Sequence, residues 1–129
     1  MITEDYCSFE VAKLLKEKGF DVPVNYEYHY KITIPQFHRK KHNFNGIEYS
    51  NCSSEWYSVP THQMAMKWLR EIYDIFIVVR RGLTGTGWVY SHEIYKDSKC
   101  WYARYGASYD TYEEAIEAAI KYCLENLIQ

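Results

Sequence analysis

From Tyr26 to Ile34 the chain reads YEYHYKITI, with Tyr26, Tyr28, Tyr30, Ile32 and Ile34 at every second position. Side chains on an extended backbone alternate between two faces, so period two predicts a strand with one covered and one wet face. Such a strand requires another layer to cover its apolar side. Pro35 lacks a backbone donor and closes the run.

Three segments supply helices for that layer. In SFEVAKLLKEKGF, Ser8 is placed to accept from a free first-turn N–H, and Val11, Ala12, Leu14 and Leu15 form a broad apolar face. Gly19 stands where a left-handed residue ends a helix, with Phe20 following to pack on Leu15. In THQMAMKWLREIYD, Thr61 precedes His62, and Ala65, Trp68, Leu69 and Ile72 share one face. In DTYEEAIEAAIKYCLENLI, Thr111 and Glu114 fit a capping box, and Ile116, Ala119, Ile120, Cys123 and Leu127 make the core stripe.

The remaining segments read as strands and turns. EWYSV, from Glu55 to Val59, is a short strand able to return beside the first. IFIVVRR after Asp74 reads as a strand buried on both faces for most of its length. GLTGTG is a flexible loop into the alternating WVYSHEIY, and KDSK turns the chain into CWYARY. Residues 36–54 have neither period, and a connection that long is uncommon inside a compact domain. Asn45-Gly46 suits a type I′ turn, so this insertion is expected to be a projecting hairpin.

The expected architecture is a single α+β domain over residues 1–129, in the order α-β-β-α-β-β-β-α. An antiparallel sheet of about five strands would carry three helices mainly on one face. VAKLLKEKGFDV and MAMKWLREIYDI also echo one another, which raises a duplicated helix-plus-strands unit beside chance likeness of two amphipathic helices.

Composition restricts function. The chain has 129 residues, a formal charge of −2 and 14 tyrosines. The charge balance gives no global attraction to nucleic acid or anionic lipid. No run reaches the ~18 apolar residues of a membrane span. MITEDYC lacks the basic-then-apolar order of a signal peptide, so a cytoplasmic location is expected. Cys7, Cys52, Cys100 and Cys123 form no C-x-x-C pair and are expected as free thiols in a reducing compartment.

The features that resemble sites have ordinary explanations beside the functional ones. HRKKH, residues 38–42, is a basic segment bordered by Phe37 and Phe44; it is either a phosphate-touching tip or a solvated loop. Three cations release few counterions, so binding through Arg39, Lys40 and Lys41 would be weak and salt-sensitive, even joined by Arg80 and Arg81. His38 and His42 would face together only on a helix, and the segment lacks a helical pattern, so no metal site is expected. The glycines of GLTGTG have the wrong order for a dinucleotide loop, and a strand follows in place of a helix. His62 at a helix start, with no partner legible nearby, is expected to be structural or simply exposed.

Residues 61–127 resemble the double-stranded-RNA-binding domain in element order. Glu113, Glu114 and Glu117 occupy the helix start where such domains carry lysines, so the likeness is topological. Taken together, YCSFEVAKLLKEKGF, PTHQMAMKWLRE and YDTYEEAIEAAIKYCLENLI resemble a family of small uncharacterised proteins of gut Bacteroidetes and their phages and mobile elements. The resemblance implies a phage- or mobile-element-borne accessory protein and transfers no catalytic residue.

Two functions follow as expectations. The first is a non-enzymatic interaction module presenting Tyr- and Trp-rich sheet surface to a protein partner or to its own copy, with no catalytic residues, cofactor or metal. The alternative is a weak nucleic-acid binder using Arg39, Lys40, Lys41, Arg80 and Arg81. A small hydrolase or transferase has no residue constellation behind it.

Overall fold

The computed structural model describes residues 2–29, 36–39, 56–97, 99–103 and 108–128, with backbone only at 29, 36–39, 56 and 100–103. The protein is α+β and divides into two compact units, Met1–Thr61 and His62–Gln129. Its strands form two separate antiparallel sheets, which corrects the expectation of one sheet of about five strands. The physical reason lies in local pairing. The three strands after the second helix are joined by short connections and meet at low loop-closure cost, while the first strand takes both its partners from the chain before that helix.

In the first unit, α1 (Phe9–Glu17) begins as its sequence predicts, with the Ser8 hydroxyl accepting from the Val11 N–H at 3.3 Å. It ends in a Schellman motif. Gly19 takes φ +87°, its N–H donates to the Lys16 carbonyl, and the Phe20 N–H donates to the Leu15 carbonyl at 2.9 Å. Both Phe20 and Leu15 are buried.

The central strand of this unit is β1 (Tyr26–His29), flanked by β2 (Gln36–Arg39) and β3 (Trp56–Val59), both antiparallel to it. The return of EWYSV beside the first strand is therefore observed. Tyr28 lies directly opposite Tyr57, and Phe9 of α1 meets both rings edge-on at 5.5 and 5.2 Å. This aromatic trio joins helix to sheet. The expected wet face is not wet throughout: Glu27 and Ser58, opposite one another, are both buried. The Asn45-Gly46 turn and most of the 36–54 insertion lie outside the described residues.

The second unit opens with α2 (His62–Tyr73), which buries Ala65, Met66, Trp68 and Leu69. Ile72, expected on that face, is 61% exposed. Asp74 takes φ +56°, a left-handed conformation that Asp tolerates better than most residues, and its N–H closes on the Arg70 carbonyl. No other residue separates α2 from β4 (Ile75–Thr84).

β4 and β5 (Gly87–Lys96) pair over their whole length, from Ile75 opposite Lys96 to Thr84 opposite Gly87. The GLTGTG loop is thus mostly strand, and only Gly85 and Thr86 turn the chain. β6 (Lys99–Ala103) pairs with the other side of β5, with a bulge between Ile94 and Tyr95. The sheet order is β4-β5-β6.

The last helix, α3 (Tyr112–Asn126), is capped by the Thr111 hydroxyl accepting from the Glu114 N–H at 3.1 Å. It buries Ala115, Ile116, Ala119, Ile120, Cys123 and Leu124. Leu124 takes the place expected for Leu127, which caps the helix instead. Two alanines on the buried stripe keep α3 close to β4 and β5, and α2 packs beside it on β4. The two helices bury Ile75 and Ile94 on one face of the sheet. β4 is consequently not buried on both faces, because Phe76 and Val78 project from the opposite side. No helix among the described residues is long and apolar enough to cross a membrane.

Candidate protein-interaction surface

Direct opposition in an antiparallel pair puts two side chains on the same face. The register therefore aligns Ile77 with Ile94, Val79 with His92, Arg81 with Tyr90 and Leu83 with Trp88 on the face that carries α2 and α3. Near the helices this face is core: Ile94 and His92 are buried, and the His92 ring stacks on Tyr109 at 5.6 Å. Toward the turn the strands outrun the helices. Leu83 is then 69% exposed and Trp88 56% exposed.

Arg81 organises this outer end. Its guanidinium lies 4.6 Å from the Trp88 ring centre and 5.9 Å from that of Tyr90. A cation over an aromatic face is held by the ring quadrupole, worth about 0.5–1 kcal/mol at an exposed site. Tyr90 is fixed from below by its backbone, which exchanges two hydrogen bonds with Tyr109 at 2.8 and 2.9 Å. Its ring also meets Tyr112 edge-on at 6.3 Å, and Tyr112 is half exposed at the start of α3. The result is an open face of Arg81, Leu83, Trp88, Tyr90 and Tyr112 mounted on regular backbone.

On the reverse face Glu93 receives hydrogen bonds from Tyr95 and Arg80. Those bonds, from the Tyr95 hydroxyl first and the Arg80 guanidinium second, hold the Glu93 carboxyl below the usual carboxylate range. The same carboxylate raises the pKa of Arg80 further.

Of the five residues expected to bind nucleic acid, Arg39, Arg80 and Arg81 lie among the described residues. Arg80 and Arg81 are adjacent on a strand and so point to opposite faces, one bound to Glu93 and the other stacked on aromatic rings. Arg39 lies in β2 opposite Tyr26, in the first unit, while Lys40 and Lys41 lie outside the described residues.

His62 is the first residue of α2, as expected, and is buried. Its Nε2 lies 2.6 Å from Oε2 of Glu117 on α3. The pair links the two helices through an imidazole and a carboxylate. Glu117 was legible only as a charged residue of a helix start. A separation of 55 positions left no local signal of its partner.

No protein-family model, curated protein or solved structure matches this chain.

Proposed function

We propose that the protein is a non-enzymatic interaction module, a cytoplasmic accessory protein of phage or mobile-element origin, which binds a protein partner through the outer end of the β4–β5 hairpin. The observation that carries this reading is Arg81 stacked on Trp88 and Tyr90, with Leu83 exposed beside them. Trp, Tyr and Arg are the residue types that dominate binding energy at protein interfaces. Here they are held in place before any partner arrives, which lowers the ordering cost of association.

Two features make nucleic acid the weaker reading. Arg80 is engaged by Glu93, and Glu113 and Glu114 stand in the first turn of α3 beside Tyr112. Negative charge at that position repels a phosphate backbone.

The test compares the wild type with Trp88→Ala in capture from host extract and on heparin. A protein retained by the wild type and lost from Trp88→Ala supports the proposal. Heparin retention abolished by changing Arg39, Lys40 and Lys41 to Ser, with no partner dependent on Trp88, overturns it.

A further inference from the structure

β4 is the edge strand of its sheet, and its properties are unusual for an edge. It runs ten residues without a proline, and its pairing to β5 shows no bulge. Natural sheets protect long edges with prolines, bulges, inward charges or covering segments, because an open edge is a template for another strand. Among the described residues, the backbone of Ile75–Thr84 pairs with β5 alone. Phe76 and Val78 add exposed apolar side chains, 45% and 38% accessible, to the face away from the helices.

The sequence of this edge matches itself in reverse. Around Ile77, equidistant positions hold Phe76 and Val78, then Ile75 and Val79, then Asp74 and Arg80. Antiparallel pairing of two such strands about a two-fold axis sets an aromatic against a β-branched residue, and brings the Asp74 carboxylate, just before one strand, near the Arg80 guanidinium of the other. All these pairs match even with even or odd with odd, so each face of one sheet continues onto the same face of the other. Centring the axis on Arg80 would instead oppose two arginines, which disfavours that register. Arg80 is 61% exposed at its side chain and uses only part of its five-donor fork on Glu93.

We infer that the edge of β4 facing away from β5 pairs antiparallel with β4 of a second copy of this chain, with Ile77 on the two-fold axis, joining two sheets into one. The inference stands on the backbone edge and is independent of the aromatic face around Trp88.

Light scattering with reductant present, at tens of micromolar chain, tests it. The wild type is expected at twice the chain mass of 15.5 kDa. Val78→Lys, an exposed position whose change leaves the core intact, is expected to weaken the dimer about tenfold or more while circular dichroism stays unchanged. Asp74→Asn keeps a residue type that accepts the left-handed backbone and removes the charge, so it is expected to weaken the dimer about two- to fivefold and to reduce its salt dependence. Trp88→Ala is expected to leave the dimer as it is. A wild type that stays monomeric overturns the inference, as does a dimer that Val78→Lys leaves intact or that Trp88→Ala dissolves. The last outcome would assign self-association to the aromatic face.

Discussion

The imidazole of His62 and the carboxylate of Glu117 meet at 2.6 Å, tying the first residue of α2 to the half-buried margin of α3's core stripe. Removing the carboxylate leaves a buried imidazole short of a strong acceptor, which costs about 1–3 kcal/mol. Glu117→Ala is expected to lower unfolding stability by that amount in urea titrations. Glu117→Gln keeps an acceptor in reach and is expected to lose about half as much. Equal stability of all three proteins would show that the pair is incidental.

Glu93 sets an acid limit. Its folded-state pKa lies below its unfolded value because Tyr95 and Arg80 bind the charged form. A depressed carboxyl contributes stability that is fully present above the unfolded pKa and is lost as pH falls through the folded one. Urea midpoints are therefore expected to drop from about pH 5 downward. Tyr95→Phe removes the larger cause and is expected to flatten that drop, with its main loss of stability at neutral pH. A variant whose acid profile parallels the wild type would sink this assignment.

Thiol chemistry separates buried from accessible cysteine. Burial pushes the Cys123 thiol up to about 12. At pH 8 its thiolate fraction is then about one in ten thousand, and the thiolate is the reactive form. Iodoacetamide followed by peptide mass mapping is expected to leave Cys123 unmodified in the native protein and to modify it in urea. Rapid native labelling of Cys123 would contradict its place on the core stripe of α3.

A core aliphatic and a surface aromatic are expected to differ in what their removal costs. Ile120→Ala creates a cavity under α3, where the side chain is wholly buried, and should cost about 2–5 kcal/mol. Trp88→Ala loses only the stacking of Arg81 on a half-exposed ring and should cost about 1 kcal/mol or less. Thermal unfolding distinguishes them. A large loss of stability in Trp88→Ala would make that ring a structural element and remove the basis for its role in binding.

Much of this architecture is legible from local signals. The Ser8 and Thr111 caps, the Gly19 ending and the strand β5 are each encoded within a few residues, and each is observed, although His92, Glu93 and Ile94 are buried in succession. Partition into two sheets is not, because strand partners depend on contacts distant in sequence. The topologies also separate the two echoing segments: the strand after α1 is central in its sheet, whereas the strand after α2 lies at an edge. The candidate surface was only partly readable. Tyrosine and tryptophan excess suggested an aromatic face, but placing Arg81 on it and Arg80 behind it required the strand's register. Glu27 misled for a related reason, since alternation states which residues share a side and not whether that side stays wet.

The single-residue joint at Asp74 has an evolutionary consequence. With Leu69 of α2 and Ile75, the first residue of β4, both fully buried, one inserted residue would have to bulge or invert the phase of the strand. Inversion would exchange the aspects of Arg80 and Arg81, carrying the stacked cation to the rear and the Glu93-bound one to the front. Descendants of this chain should therefore tolerate length changes poorly at this joint.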